Sequence, residues 1–210
     1  MEKKRINKDD GGRYLMKGSH LWGILLFLAL ILIDQTTKLV ADAYFSSADA
    51  PQAITIVPGW IYLRISYNDG IAYGIGDSAE PWIKILVIAL TGIMMLALAI
   101  LYFLVDKRRS WVRTSLVFIV SGGIGNLIDR LYYRVWLPTD FGVRDMVDLD
   151  RFGFAVCNFA DFFIVAGAIM LVLSFLFFDK DAVFPTGKKY KALAEEAKKE
   201  EGTKKEGENG

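Results

Sequence analysis

Four stretches of the chain are apolar enough, and about long enough, to cross a hydrocarbon layer of roughly 30 Å, which takes about 20 residues of helix. The first runs from about Leu21 into Val40 and the second from Trp82 to Val105, with Lys84 as its only charge. The third runs from Trp111 to Ile128 and the fourth from Cys157 to Phe178. A soluble bundle would need polar faces at helical spacing, and segments such as Ile83–Leu104 show none. Between the first two spans, Ile54–Tyr67 is rich in β-formers and is broken by Pro58-Gly59, which predicts a small hairpin or strand pair at the membrane surface. The pattern therefore predicts a membrane all-α fold: four transmembrane helices with a small extracytoplasmic β element in the first outer loop.

The distribution of Lys and Arg sets the orientation. Residues 1–20 carry six and the link 106–113 carries four, whereas the long link 45–81 carries only Arg64. Both termini are accordingly expected in the cytoplasm. The second outer loop, 129–156, holds four Arg against five Asp and does not reverse the count. Three segments follow: a basic cytoplasmic N-terminus over 1–20, a four-span domain over 21–178 and a charged cytoplasmic tail over 179–210. The tail has eight Lys and eight acidic residues and reads as a solvated extension. Ala41-Asp42-Ala43 after an apolar run mimics a signal-peptide cleavage site. Asp34 and Lys38 interrupt that run, however, and a 43-residue leader exceeds the usual length of about 15–30, so the segment is read as an uncleaved span.

Composition narrows the chemistry. The 210 residues are 53% hydrophobic and 23% charged, with 25 Lys and Arg against 24 Asp and Glu. A net charge of +1 without a basic face argues against nucleic acid as a partner. The single cysteine, Cys157, excludes an internal disulfide and a Cys-based zinc site, and the single histidine, His20, disfavours a Ser-His-Asp triad or a two-histidine metal site. What remains are carboxylates, amides, hydroxyls, Arg and Lys, or a borrowed cofactor.

Ionisable residues inside spans are costly and mark functional sites by default. Asp34 lies about 20 Å along the outward-running first span, at 1.5 Å per residue. The third span ends in Gly122-Gly123-Ile124-Gly125-Asn126-Leu127-Ile128-Asp129-Arg130, and Asn158 and Asp161 fall in the first turns of the fourth. Three spans thus bring carboxylates to one depth near the outer leaflet. Asp34 with Lys38, Asn126 with Asp129 and Asn158 with Asp161 are each three or four residues apart and share a helix face. The Asp34/Lys38 spacing predicts an internal ion pair of structural role; Asp129 and Arg130 read as structural or substrate-positioning. The glycines around Asn126 allow a neighbouring helix to approach closely. Carboxylates converging in this way also suit a small cation or proton transporter subunit, or a scaffold in which the charges serve only helix association.

The motifs, taken together, resemble the lipoprotein signal peptidase (signal peptidase II) family. The resemblance covers about Ile33 to Phe178 and rests on five motifs in order. They are Asp34-Gln35-Thr36-Thr37-Lys38, Asn68-Asp69-Gly70-Ile71-Ala72-Tyr73-Gly74, the run Gly122–Arg130, Val143-Arg144-Asp145-Met146-Val147-Asp148, and Asn158-Phe159-Ala160-Asp161. It implies an intramembrane aspartic endopeptidase of the bacterial cytoplasmic (inner) membrane, with its active site near the outer leaflet. Its partners would be membrane lipids and prolipoproteins whose signal peptides it removes by cutting before a diacylglyceryl-modified cysteine. By motif, the catalytic pair is Asp145 and Asp161, with Asp148 as the alternative to Asp145. Asn68, Gly70, Asn126, Asp129, Arg130 and Asn158 would bind substrate or hold the pair. The chain departs from the family pattern at Arg144, where a small apolar residue is common, in the long loop from Arg130 to Val143, and at Phe162 and Cys157.

The orientation is open to cysteine-accessibility labelling in a Cys157→Ala background. A cysteine introduced at Ser47 is expected to react with an impermeant reagent from outside the cell; labelling only from the cytoplasm would invert the topology and displace the site.

Overall fold

The structure, a computed structural model, describes residues 8–68, 80–107, 109–133, 137, 142–178, 183–184, 191–192 and 195, with side chains described from His20 onward except that of Asp150. Helix α1 spans Lys8–Phe45, strands β1 and β2 span Ile54–Val57 and Ile61–Asn68, and helices α2 and α3 span Pro81–Leu104 and Ser110–Tyr132. Strand β3 covers Val143–Asp148, a short 3-10 turn covers Asp150–Phe152, and helix α4 covers Phe159–Phe177. All four helices are long and apolar enough to cross a membrane, the first from His20 onward. The hydropathy boundaries shift by a few residues. α1 runs through Ala41-Asp42-Ala43 to Phe45, and α3 continues to Tyr132, so Asn126, Asp129 and Arg130 all lie on helix.

Helix α3 is central and packs against the other three, most extensively against α4. It is also the least apolar span and the most buried, as expected of a helix that touches protein rather than lipid on most sides. α2 buries only Ile88, Met95 and Tyr102, spaced by seven residues, so a single narrow seam joins it to its neighbours. Most other large apolar side chains of α2, such as Leu86, Leu90, Ile93 and Leu104, are exposed, which suits hydrocarbon as solvent.

Small residues set the distance between helices. A methyl group on Gly122 would collide with the Ala160 carbonyl oxygen and with Ile164, and one on Gly167 would lie 2.8 Å from the Ser115 carbonyl oxygen. α3 and α4 therefore meet backbone to backbone. Association inside a bilayer depends on such close packing, because lipid is as apolar as leucine and gives no hydrophobic drive.

The expected strand pair is part of a three-stranded antiparallel sheet in the order β1-β2-β3. Gly59, at a φ of 78°, makes the turn between the first two strands. β3 comes from the second loop and pairs with β2 across more than 70 residues of sequence, with Ser66 opposite Asp145, Tyr67 opposite Arg144 and Asn68 opposite Val143.

Gly122→Ala is expected to lower stability by about 1–3 kcal/mol through overpacking, read as a fall in Tm in detergent. Gly92→Ala, whose methyl meets only Leu127 at 3.9 Å, is expected to leave Tm unchanged or to raise it.

Candidate active site

The start of α4 organises the site. A helix begins with backbone N–H groups that have no intrahelical partner, and in a buried location each must be satisfied. Asn158 is the N-cap: its side-chain oxygen accepts from the Asp161 N–H at 3.1 Å, and the Asp161 carboxylate accepts from the Asn158 N–H at 3.0 Å, a reciprocal capping box. The Ala160 N–H donates across to Asp34 Oδ1 on α1 at 2.9 Å. Gly125 makes room for this contact, since a methyl there would sit 2.5 Å from Asp34 Oδ2 and 3.2 Å from Ala160 Cβ.

Lys38 is fully buried and donates to Asp34 Oδ2 at 2.9 Å and to Asn126 Oδ1 at 3.0 Å, with Asp129 Oδ2 at 3.6 Å. An ammonium has no acceptor capacity, so the Asn126 carbonyl oxygen is obliged to face it. The Asn126 amide nitrogen then points the other way and donates to Asp161 Oδ1 at 2.8 Å. Asn158 is fixed by the same logic. Its oxygen is taken by the Asp161 N–H, and its amide nitrogen donates to Asn126 Oδ1 at 2.9 Å and to Asp145 Oδ1 at 2.6 Å. One buried lysine thus dictates the direction of two amides, and both end on carboxylates.

Strand β3 presents Asp145 to this array. Side chains alternate along a strand, so Asp145 and Asp148, three residues apart, project to opposite faces. Asp145 meets Asn158 and accepts from Asn68 Nδ2 at 3.3 Å, Asn68 lying diagonally across the strand pair. Asp148 is held by Arg64 at 2.6 Å. Backbone hydrogen bonds from Met146 and Val147 N–H to the Cys157 carbonyl, at 2.9 and 2.8 Å, and from Cys157 N–H to the Val147 carbonyl at 2.9 Å staple β3 to the residue just before Asn158.

Burial first, and then the neighbouring Asp161, push the Asp145 carboxyl up to about 7, against the opposing pull of Asn158, Asn68 and Lys38. Burial, followed by Asp161, Asp145 and Asp148, pushes the Cys157 thiol up to about 12, which leaves it protonated and unsuited to act as a nucleophile. Arg130 is in electrostatic reach of Asp161, Asp145 and Asp129.

The structure therefore brings Asp145, Asp161, Asn68, Asn126 and Asn158 into one hydrogen-bonded group, with Asp34 and Lys38 directly behind it. Asp129 lies 3.6 Å from Lys38 and is paired with Arg144 at 2.7 Å. Gly70 lies outside the described residues. Reading by sequence did not single out Gln35, Asp42, Tyr67 and Tyr133, which gather around Arg144; for Asp42 the signal was available, since 34, 38 and 42 form one i, i+4, i+8 line on α1.

The family profile described as Signal peptidase (SPase) II matches residues 26–177. The chain belongs to the signal peptidase II family. It is 30% identical over 165 residues to a lipoprotein signal peptidase of Fusobacterium nucleatum subsp. nucleatum, covering 78% of this chain and 91% of that protein. It is 35% identical over 148 residues to a lipoprotein signal peptidase of Streptococcus thermophilus, covering 70% and 86%. Two solved bacterial membrane enzymes, determined by the in meso method, share the fold with TM-scores of 0.58 and 0.57 at 24% and 22% identity. Each covers 73% of this chain, and 87% and 92% of its own. Membership in the signal peptidase II family makes the chain a multi-pass membrane protease, and displaces the transporter and scaffold readings of the same carboxylates.

Asp34→Ala leaves Lys38 buried without its nearest anion, and breaking a buried pair typically costs about 3–5 kcal/mol. The variant is expected to lose abundance and thermal stability along with activity. An Asp34→Ala protein of normal Tm and no activity would move Asp34 from support to chemistry.

Proposed function

We propose that the chain is an aspartic endopeptidase that removes signal peptides from diacylglyceryl-modified prolipoproteins, cutting before the lipidated cysteine, with Asp145 and Asp161 as the reacting pair. The observation that carries this reading is that one residue, Asn158, joins both carboxylates, its side-chain amide donating to Asp145 on a strand and its backbone N–H to Asp161 in the first turn of a spanning helix. Two carboxyl groups so placed favour sharing one proton. The proton belongs on Asp145, whose carboxyl is raised to about 7. Asp161 sits in the first turn of α4, where negative charge is favoured, and accepts from Asn126 and from the Asn158 backbone.

The steps follow from that assignment. Ionised Asp161 takes a proton from a water molecule as its oxygen attacks the scissile carbonyl carbon, while Asp145 gives its proton to the carbonyl oxygen. Collapse of the tetrahedral intermediate returns a proton from its hydroxyl to Asp145, and Asp161 passes its own to the departing amine. The pair ends with the single proton it began with. Neither a nucleophilic side chain nor a cofactor is required. The position of the pair, between a surface strand and the mouth of a helix bundle, suits a substrate whose signal peptide is an apolar helix and whose lipid chains stay in the bilayer. With both termini cytoplasmic, the site lies at the outer leaflet.

The test is cleavage of a diacylglyceryl-modified prolipoprotein peptide by purified protein. Asp145→Asn and Asp161→Asn nearly preserve size and are each expected to abolish cleavage in a folded, inserted protein, with the double variant hardly worse than either single one. Asp148→Asn, which weakens the pairing with the partly exposed Arg64, is expected to retain substantial activity. Normal cleavage by Asp161→Asn would falsify the mechanism.

The proton also predicts a pH profile. Asp145 must be neutral to donate, and it ionises as pH passes about 7, so kcat is expected to fall on the alkaline side, approaching tenfold per pH unit. A profile flat to pH 9 would remove Asp145 as the acid.

A further inference from the structure

The face of β3 opposite Asp145 carries Arg144, and its surroundings are as ordered as the reacting group itself. Asp129 on α3 accepts the Arg144 backbone N–H at 3.0 Å, its Nε at 3.2 Å and its Nη2 at 2.7 Å. The same Nη2 reaches Gln35 Oε1 on α1 at 3.4 Å, and Nη1 lies 3.9 Å from Asp42 Oδ2 near the end of that helix. Asp42 in turn accepts from the hydroxyls of Tyr67 on β2 and, at 3.2 Å, Tyr133 just beyond α3. The guanidinium lies over the Tyr133 ring, 5.4 Å from its centroid. Three other elements, α1, α3 and β2, converge around this one side chain of β3.

This arrangement uses properties that only arginine has. Its planar fork holds one carboxylate through two nitrogens and still directs its remaining donor edge elsewhere, whereas a lysine ammonium is a single point of charge. Arg144 is also buried, so its charge must be answered in place, and Asp129 answers it. Because Arg144 and Asp145 are adjacent on a strand, anything that fixes the rotation and height of one fixes the other.

We propose that Arg144 is a positioning residue for the Asp145–Asp161 pair, its clamp on Asp129 and its reach to Gln35 and Asp42 setting where β3 holds Asp145 relative to α1 and α3. The inference rests on the reading of that pair as the reacting groups. It assigns Asp129 the task of holding Arg144 by both main chain and side chain. It also gives Tyr67 and Tyr133 a purpose, as donors that keep Asp42 in place.

The experiment compares kcat, KM and Tm of the full-length protein in detergent, on the lipidated peptide, for Arg144→Lys, Tyr133→Phe and the two Asp→Asn variants of the pair. Arg144→Lys keeps the charge opposite Asp129 but loses the fork. It is expected to stay within a few degrees of the parent Tm and to lose about tenfold or more in kcat with KM changed less than about twofold, since displacement of a reacting group by 1 Å can cost roughly 100-fold. Tyr133→Phe, which removes one of the donors to Asp42, is expected to shift kcat in the same direction by a smaller factor. If Asp145→Asn and Asp161→Asn are inactive and Arg144→Lys has the parent kcat, the positioning role is wrong and the pair stands. A loss of kcat in Arg144→Lys that only tracks the loss of folded protein likewise overturns it, because that is what a purely structural residue would give. If Asp145→Asn cleaves normally, the reading of the pair fails, and the positioning role fails with it.

Discussion

A lysine ammonium with no exposure to solvent is the constraint from which most of this site follows. Lys38 can only donate, and desolvating it is tolerable only if acceptors surround it. Asp34 supplies the charge and Asn126 the carbonyl oxygen. Once the Asn126 oxygen is committed, its NH2 is committed too, and it lands on Asp161. The capping box commits Asn158 in the same sense, so its NH2 is left for Asn126 and Asp145. Hydrogen bonds between side chains in a low-dielectric interior cannot easily be rearranged, because each alternative orientation would strand a buried donor against a donor. The orientation of the groups that touch the carboxylates is therefore fixed before any substrate arrives.

The helix start solves a second problem at the same place. A spanning helix that begins inside protein has to satisfy its first N–H groups without water, and here two carboxylates and an amide do so. Asp161 is thus held by the chemistry of helix capping, and Asp34 is held from both sides, by Lys38 and by the Ala160 N–H. Gly122 and Gly125 are what let α3 come close enough for these bonds to have normal lengths. Packing and polar satisfaction are a single arrangement in this region, which is why a methyl group at either glycine is expected to disturb chemistry as well as stability.

How much of this was legible in the sequence depends on whether an interaction is local. The spans, the ion-pair spacing of Asp34 and Lys38, and the pairing of Asn158 with Asp161 all follow from helical periodicity within a few residues, so pattern alone suffices. The motif resemblance pointed to Asp145 as well as Asp148, and the strand resolves their geometry: alternation sends the two to opposite faces, with Arg64 holding Asp148. By contrast, β3 belongs to a sheet whose other strands lie more than 70 residues earlier, and no local pattern announces that pairing. The cluster of Asp42, Tyr67, Tyr133 and Arg144 was hidden for the same reason, since its members come from four elements. Arg144 stood out in the sequence only as a departure from a family pattern, and its meaning depends on Asp129 and Asp42 being brought to it by the fold.

The charges of the region support a single proton on the proposed pair independently of its hydrogen bonds. Behind the pair, Lys38 and Arg144 face Asp34 and Asp129, two cations against two anions, all buried. Asp42 adds a further carboxylate 3.9 Å from Arg144, so both buried cations are already answered by carboxylates of their own. Arg130 has Asp161 and Asp145 in electrostatic reach. A pair with both carboxylates ionised would set two like charges close together in a poorly solvated place, and a pair with both protonated would withdraw negative charge from the surroundings of Arg130. One proton between the two carboxylates avoids both. The chemistry proposed for the pair needs one acid and one base at the same moment, and the mutual repulsion of two carboxylates beside a partly buried arginine favours that state.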